Sequence, residues 1–247
     1  MKLADVVSYS SAFLTRTNWK AETLSWNIPP QSVATFARVA PGIPVPDGVA
    51  LELFNGHTYQ VEHIRATLSF GNTLYTLKQF HMHTASEHTF NGGHYDLEMQ
   101  FVHTAEAPDG SEKVLVVACF FQAVGGSTSP QFFKELVAAI PALTDRPQMD
   151  TPNNVPINFK DMAQQVLVGG ISTNGQQDSD FLPNFKNYFA YTGSFTTPPC
   201  TEGVQWVLLR NPVFVAPADV AKIKALEGAN FRPTQPVNGR KVFWVHS

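Results

Sequence analysis

Apolar and polar residues alternate along short stretches of the chain from residue 49 onwards, and Gly, Asn or Pro separates these stretches. The alternation is longest in TLYTLKQFHMH (73–83) and HYDLEMQFVH (94–103). A period of two places every second side chain on the same face, which predicts β-strands with one buried face. Further predicted strands are VALELF, HTYQVEHI, ATLSF, KVLVVACFF, GVQWVLLR and VFV. The segments FNGH and NGG predict turns between strands.

Two other segments have helical spacing. The first predicted helix has Ser129 as its N-cap and Pro130 at its first position, and it runs to about Ile140. The second is PADVAKIKALEG, which ends at Gly228. The apolar residues on one face of each helix are Phe133, Leu136 and Val137 in the first, and Val220, Ile223 and Leu226 in the second. Residues 140–158 are rich in Pro and Asn and predict a long surface connection, so we expect a single β-rich domain.

The composition agrees with a folded domain and excludes several functions. Hydrophobic residues make up 43% of the 247 residues and charged residues only 15%, which allows a sizeable core. The net charge is -3 and the Lys and Arg residues are scattered, so no surface for nucleic acid or anionic membrane is expected. The longest apolar run, Val114 to Phe121, is too short to span a bilayer. The first residues, MKLADVVSYSSAFLT, make a poor signal peptide.

The chain has two cysteines. Cys119 lies inside the apolar run, which predicts an inert residue of the core. Cys200 lies in the turn-rich segment TTPPCTEG and has no obvious partner in the sequence. Neither cysteine fixes the cellular compartment.

The segment QFHMH contains two histidines that could bind a metal ion together. In a strand, His81 and His83 project from the same face about 6.5–7 Å apart, whereas Met82 points to the other face. Two imidazoles at this spacing can reach one metal ion at ~2.0–2.1 Å each. The H-x-H pattern by itself is equally typical of two partly exposed strand residues.

The next long strand adds polar residues to the same region. Glu98 and Gln100 share one face of YDLEMQFVH, while Leu97, Met99 and Phe101 share the other. Burying such polar groups without hydrogen bonds is costly, so they need partners. Together with Glu87 and His88, just after the H-x-H pattern, they predict an organised polar site. The alternative is a purely structural hydrogen-bond network.

The spacing of His81, His83 and Glu87, H-x-H-x3-E, also occurs in cupin metal sites. The glycine that cupins carry six residues before the first histidine is replaced here by Tyr75. The second cupin motif, with its downstream His and Asn, is also missing from the sequence. We therefore discard a cupin site.

The segments QFHMH, SEHTFNGGHYDLEMQFVH and YTGSFTTPPCTEGVQW, in this order, closely resemble the α-class carbonic anhydrases. Further matches in FNGHTYQVE, LVVACFF and RPTQPVNGR extend the resemblance from about residue 49 to the end. The resemblance implies a mainly β fold: a large, twisted, mostly antiparallel central sheet, a few short peripheral helices and a conical metal site at the floor of the sheet. It divides the single domain into a carbonic-anhydrase-like part, residues 49–247, and a poorly matched N-terminal segment, residues 1–48.

The resemblance implies the metal ligands and their surroundings. His81 and His83 match the first two zinc ligands, and Glu98 matches the acid that holds the third ligand. The third ligand is a histidine in the family, but Gln100 stands at its position here. His88 and His103 match structural positions.

The resemblance also implies catalytic roles. His57 matches the proton-shuttle histidine, Thr196 the threonine that orients zinc-bound hydroxide, and Glu87 the acid that accepts the hydrogen of that threonine. Thr197 would lie beside the substrate. The remaining matches are an apolar wall around CO2 and two polar positions near the shuttle: Val102, Val117, Phe195 and Trp206, then Asn55 and Gln60.

Gln100 is the main departure from the family pattern. An amide oxygen is neutral like imidazole, but it is a hard and weak donor that suits Mg, Ca or Mn better than zinc. Its oxygen could face a metal ion while its NH2 group donates to Glu98, which would imitate the usual outer contact. Alternatively, Gln100 and Glu98 could bind each other and leave the site to water. His103 faces the other side of the strand and His94 is ~20 Å away along it, so neither replaces the ligand.

A second departure is at the N-terminus. The Q-S-P-I segment of the family and the aromatic-rich stretch before it are missing, and so is the N-terminal cysteine that pairs in secreted members with a cysteine at the position of Cys200. Members of the family are often secreted or organellar, and the sequence does not fix the compartment.

Two functions follow from the resemblance. Members with a substituted ligand typically lose activity, which favours a carbonic-anhydrase-related protein: an incomplete site of His81, His83 and Gln100, zinc bound weakly or absent, weak or no CO2 hydratase activity, and a binding, scaffolding or subunit role with a protein partner or larger assembly. The alternative is an active zinc lyase that interconverts CO2 and bicarbonate with His57 as proton shuttle. The presence of His57, Thr196 and Glu87 favours this alternative.

Overall fold

The computed structural model describes residues 8–9, 14–15, 25–27, 33–34, 49–54, 57–62, 64, 66–144, 159–168 and 184–246. These residues are mostly in strands, as the alternating pattern predicts. In chain order the strands are β1 (Ser8–Tyr9), β2 (Leu14–Thr15), β3 (Ser25–Asn27), β4 (Val33–Ala34), β5 (Val49–Phe54), β6 (Tyr59–Glu62), β7 (Thr67–Phe70), β8 (Thr73–His83), β9 (Thr89–Phe90), β10 (Gly93–His94), β11 (Leu97–Glu106), β12 (Glu112–Ala123), β13 (Asn187–Ser194), β14 (Glu202–Leu209), β15 (Val213–Val215) and β16 (Val242–His246).

One large sheet dominates the fold. Its order is β2-β16-β13-β14-β12-β11-β8-β6-β5-β4, with β15 paired to β12 and the β3–β7 pair attached to β8. Most pairs are antiparallel, but β12 is parallel to both β14 and β15. This is the mainly β architecture that the resemblance implies. The strands predicted from alternation are all present. The strands that were not predicted are β1–β4, β9, β13 and β16.

The helices lie beside the sheet: α1 (Gln131–Thr144), α2 (Phe159–Val168) and α3 (Pro217–Glu227), with a short 3-10 helix at Asn184–Lys186. The prediction for α3 is confirmed, since Gly228 has φ 70° and its N–H donates to the carbonyl of Lys224. None of the helices within the described ranges is long and apolar enough to cross a membrane.

The helix predicted from Ser129 is confirmed as α1, which extends beyond the predicted end at Ile140. The hydroxyl of Ser129 does not cap its own helix. It accepts the N–H of Ala216 at 2.9 Å and donates to Asp219 at 2.7 Å, and so joins the start of α1 to the start of α3.

Helix α2 was not predicted. It begins directly after the stretch expected to be a surface connection, of which residues 145–158 lie outside the described residues. Met162, Ala163 and Val166 are buried at helical spacing, and a helix pattern was therefore present in the sequence.

The two faces of the sheet have different contents. On one face, the main core contains Phe80, Met82, Leu97, Met99 and Phe101, all almost fully buried. The prediction that Met82 and Cys119 belong to the core is confirmed. The opposite face carries the polar residues of β8 and β11, because neighbours along a strand project to opposite sides.

Candidate metal centre

Three neighbouring strands bring the predicted polar residues together. Across the ladders His81 on β8 lies directly opposite Gln100 on β11 and Gln60 on β6, and His83 lies opposite Glu98. Residues opposite each other on paired strands share a face. The register therefore places both histidines and Gln100 side by side, as the sequence predicts.

Each of the two imidazole rings has a polar contact at its Nδ1 atom. The ring centroids of His81 and His83 are 5.0 Å apart. Nδ1 of His81 lies 2.9 Å from Gln79 Oε1, and Nδ1 of His83 lies 3.3 Å from the carbonyl oxygen of Asn230. The carbonyl oxygen of Asn230 can only accept, so the proton of a neutral His83 ring belongs on Nδ1 and its Nε2 carries the lone pair.

The Nε2 atom of His83 is buried and has no hydrogen-bond partner among the described residues. The polar atom that approaches it is Glu87 Oε2, at 3.5 Å. Burial, and next the neighbouring His83, lower the pKa of His81 from 6.5 to about 3, although Glu98 and a hydrogen bond with Gln100 oppose the shift. A neutral imidazole is the form that binds a metal ion.

The side chain of Gln100 is fixed by two buried carboxylates. Its Nε2 donates to Glu87 Oε2 at 2.8 Å and to Glu98 Oε1 at 3.0 Å. Ionised carboxylates only accept hydrogen bonds, so the nitrogen of the amide must face them. The amide oxygen of Gln100, which can only accept a hydrogen bond, is then the atom left on the side of His81. The predicted contact of Gln100 with Glu98 is present, and the contact with Glu87 is additional.

Glu98 is anchored by His88. It accepts the backbone N–H of His88 at 2.9 Å and lies 2.7 Å from His88 Nδ1, while His88 Nε2 lies 2.8 Å from the hydroxyl of Tyr191. Burial would raise the pKa of Glu98, but the contacts with His88 outweigh it and hold this pKa below its usual value. His88 and Glu98 thus form a rigid buried support for Gln100.

Both oxygens of Glu87 already accept a hydrogen bond from a group other than Thr196. Its Oε1 accepts the backbone N–H of Arg232 at 3.1 Å and its Oε2 accepts Gln100. Thr196 is buried and its carbonyl oxygen accepts Arg232 Nη1 at 3.2 Å. No hydrogen bond joins the Thr196 hydroxyl to Glu87 within the described part of the chain, so the contact that the resemblance implies is replaced by the one with Gln100.

The residues expected near the proton path and the substrate differ in their exposure and contacts. His57 is exposed and precedes β6, and its carbonyl oxygen accepts Asn230 Nδ2 at 3.0 Å. Gln60 is partly buried opposite His81, and its amide donates to Glu62. Thr197 is exposed. Asn55 lies outside the described residues.

The expected apolar wall is present except for one residue. Val102 and Trp206 are buried in a second apolar cluster on the polar side of the sheet, with Phe195 packed against it. Val117 instead lies opposite Phe101 in the main core. The pocket position for Val117 is therefore corrected: Val116 is opposite Val102 and belongs to the second cluster. The expected position was displaced by one residue along the strand, and such a displacement moves a side chain to the opposite face of the sheet.

His103 faces the main core, as expected from its spacing. It pairs with Leu77 and Leu115, both in that core. Its Nδ1 lies 2.9 Å from the carbonyl of Phe101. Burial lowers the pKa of His103 from 6.5 to about 4, and the residue stays outside the site.

Three residues of the site were missed in the sequence. Gln79 shares the face of His81 two residues earlier, a signal that alternation alone supplies. Asn230 and Arg232 come from the segment after α3: Arg232 begins the matched segment RPTQPVNGR, but that match assigned it no role, and no local signal marks Asn230. Arg232 Nη1 also lies 3.2 Å from Sγ of Cys200, which is buried and free like Cys119.

His81, His83 and Gln100 occupy the positions of three metal ligands, but the amide of Gln100 is a weaker ligand for zinc than a third imidazole. Two imidazoles and an amide lie side by side on one face of the sheet, and Nε2 of His83 is buried without a hydrogen-bond partner among the described residues. No three His, Cys, Asp or Glu side chains of the described ranges are grouped to hold a metal ion, because the third donor is the amide of Gln100. His81, His83 and Gln100 are the residues that would hold one.

Comparison with known proteins identifies the family and agrees with the fold. The family model of eukaryotic-type carbonic anhydrases matches residues 47–246. The chain therefore belongs to the α-carbonic anhydrase family. The carbonic anhydrase of Klebsiella pneumoniae is 33% identical over 200 residues, which cover 79% of this chain and 70% of that protein.

Two other relatives are covered over a smaller share of their own length. The carbonic anhydrase of Pectobacterium carotovorum is 34% identical over 188 residues, covering 75% of this chain and 65% of that protein. Dioscorin DB3S of Dioscorea polystachya is 33% identical over 196 residues, covering 77% and 63%. The chain thus spans less than two thirds of the length of these two relatives.

Solved structures share the fold. The α-carbonic anhydrase of Thermovibrio ammonificans in complex with the inhibitor sulfanilamide has a TM-score of 0.64 and 26% identity, over 98% of this chain and 86% of that one. A dioscorin complexed with ascorbate has a TM-score of 0.69 and 25% identity, over 100% and 87%.

Proposed function

We propose that this chain is a carbonic-anhydrase-fold protein with a weakened zinc site, which hydrates CO2 slowly or not at all and has a binding, scaffolding or subunit role. The observation that carries the proposal is the position of the Gln100 nitrogen, which is bound to both Glu87 and Glu98. This arrangement opposes hydration in two independent ways.

The first is the affinity for zinc. With its nitrogen fixed on two carboxylates, Gln100 can offer only its amide oxygen beside His81 and His83. Amide oxygen is a weak donor to zinc compared with imidazole. A bound zinc ion would supply an acidified water molecule and polarise the substrate. The set of side chains that would hold this ion has a lower affinity for zinc here, because Gln100 replaces an imidazole.

The second is the orientation of Thr196. The family resemblance implies that Glu87 accepts a hydrogen bond from the hydroxyl of Thr196. This bond would turn a lone pair of the threonine towards the metal site. Here Gln100 holds Oε2 and Arg232 holds Oε1 of Glu87. Among the described residues, no hydrogen bond to Glu87 then orients the Thr196 hydroxyl, and the site lacks an acceptor fixed in this way beside the metal position.

The active enzyme is the second candidate, and the His83 ring favours it. Its Nε2 is buried without a partner among the described residues, and a buried lone pair without a partner is costly. A metal ion would satisfy it. His57 would then carry the proton, and CO2 and bicarbonate would be the substrates.

The binding role has a first ligand to test. A dioscorin with a TM-score of 0.69 to this chain is described as complexed with ascorbate. Ascorbate carries several hydroxyl donors, and the lone pairs of His83 Nε2 and the Gln100 oxygen are acceptors. Ascorbate is therefore the first small molecule to titrate against the purified protein.

Metal content and hydration rate, measured on the same sample, decide between the two functions. We expect far less than one zinc per chain by elemental analysis after purification without chelators, and no acetazolamide-sensitive CO2 hydration in stopped flow with zinc added. One zinc per chain together with strong acetazolamide-sensitive hydration would establish the enzyme and refute the proposal.

A further inference from the structure

The end of α3 joins the strand ends that carry His57 and His83. Asn230 Nδ2 donates to the carbonyl oxygens of His57 and Met82 at 3.0 and 3.2 Å, and Asn230 Oδ1 accepts the N–H of Thr84 at 2.8 Å. The hydroxyl of Thr84 donates to the carbonyl of Gly228. We call Glu227 to Asn230 the α3-end segment. It connects the start of β6 with the end of β8.

Glu227 makes the contact with β6. Its Oε1 accepts the N–H of Tyr59 at 2.7 Å and the hydroxyl of Thr58 at 3.2 Å. Its Oε2 is buried and has no hydrogen-bond partner within the described residues. A carboxylate with one oxygen buried and unpaired is strongly disfavoured, whereas the neutral acid is much less so.

The surroundings of Glu227 favour the neutral acid. Burial raises its pKa from 4.5 to about 8, while hydrogen bonds from Tyr59, Thr58 and Asn230 oppose the rise. No charged side chain of the described residues is among the causes. The titratable and charged groups on the elements packed against it are His57, Glu62, Lys78, His81, His83, Asp219, Lys222, Lys224 and Arg232. Within the described ranges, Glu227 therefore has no cationic partner of the kind that keeps a buried carboxylate ionised.

We propose that Glu227 is a positioning residue: as a neutral carboxylic acid it fixes the backbone that follows His57, and it releases this backbone when it ionises. The anion recovers solvation by leaving the contact for water. The N–H of Tyr59 then loses its acceptor, whereas the hydroxyl of Thr58 keeps the carbonyl oxygen of Met82. The start of β6 and the exposed His57 before it then become mobile in alkaline solution. This role depends on neither a metal ion nor CO2 hydration.

Nuclear magnetic resonance of the unaltered protein tests the proposal directly. The Glu227 side-chain carboxyl carbon and the Tyr59 amide are followed from pH 6 to 10. We expect both to shift with a common midpoint near pH 8. The ionised fraction of such a group rises about tenfold between pH 7 and 9. The exchange protection of the Tyr59 amide, corrected for intrinsic rates, should therefore fall about tenfold over that range.

The variant Glu227→Gln separates the pH response from simple packing. The amide retains the shape of the neutral acid and cannot ionise, so the protection of Tyr59 should stay constant. Glu112→Gln, at an exposed position of β12, is the matched control and should titrate like the unaltered protein. A Tyr59 amide that does not respond between pH 6 and 10 in the unaltered protein would overturn the proposal. The same midpoint in Glu227→Gln would overturn it too.

Discussion

Replacing Gln100 by histidine should convert the site into one that binds zinc tightly. Without metal the change has a cost, which follows from the contacts of Gln100. The amide makes two hydrogen bonds to carboxylates, and a ring N–H directed at Glu98 replaces one of them. The loss of one charge-assisted hydrogen bond is about 1.5–3 kcal/mol. At about 2–4 °C per kcal/mol for a chain of this size, the Tm of the metal-free variant should fall by roughly 3–12 °C.

With zinc present, the Gln100→His variant should instead have a higher Tm than the unaltered protein. A ligand present at 1,000 times its Kd stabilises the folded state by about 4 kcal/mol, which corresponds to a rise of roughly 8–16 °C. We expect this rise in Gln100→His and only a small one in the unaltered protein. CO2 hydration should increase by orders of magnitude, because the variant also frees Glu87 Oε2 for Thr196.

The assay combines thermal unfolding in EDTA and in zinc with elemental analysis and stopped-flow hydration with and without acetazolamide. Gln131→His is the matched control, since Gln131 is exposed on α1 far along the chain from the site. It adds a histidine without completing the ligand set. If Gln100→His binds zinc no more tightly than the unaltered protein, the argument from the amide donor is wrong.

Three further changes test the support of the site and the core. Asn230→Ala removes three side-chain hydrogen bonds around a buried position and should lower the free energy of unfolding in urea by about 2–4 kcal/mol. Ile223→Ala empties a fully buried position of α3 and should cost about 2–5 kcal/mol in the same assay. His103 has a folded pKa of about 4 against 6.5, so the unfolded chain binds more protons between these values and stability is lost as the pH falls through this window. His103→Gln should lose about 3 kcal/mol less than the unaltered protein between pH 7 and 4.

Each of these changes has a result that would contradict its reasoning. For Asn230, it is an unchanged urea midpoint, which would mean that water replaces the three bonds fully. For Ile223, it is a loss below 1 kcal/mol, as expected for an exposed residue. For His103, it is an acid destabilisation identical to that of the unaltered protein, which would show that other groups cause it.

The sheet was predictable because its signal is local. Alternation in residues 73–83 accompanies a largely one-sided burial of β8, which occurs where expected. The strand predicted for residues 94–103 is present as β11, which begins and ends three residues later. Helix α2 was missed because it follows a stretch rich in Pro and Asn, although Met162 and Val166 carry a helical spacing. The wrong face was assigned to Val117 for a different reason. Both faces of β12 are buried and its sequence is continuously apolar, so alternation does not show which residues share a face.

The site was predictable only in part. The histidine pair and the Gln100–Glu98 contact follow from strand parity, because their partners are one strand apart. The capture of Glu87 by Gln100 does not, since Glu87 lies in the irregular segment after β8. Asn230 reaches the site from the segment after α3, which no pattern near residues 81–100 reveals. Contacts between segments so distant in the chain depend on the complete fold.

The parallel pairing of β12 with β14 also has a consequence for how the chain is made. Residues 124–201 separate the two strands, and closing a loop of roughly 80 residues must precede any gain from their pairing. On a ribosome that adds about 5–20 residues per second, the edge of β12 waits roughly 4–16 s for its partner. During this interval the apolar edge of β12 is available to other nascent chains. Yield on expression should therefore depend on chain concentration and chaperone supply more strongly than the stability of the finished sheet suggests.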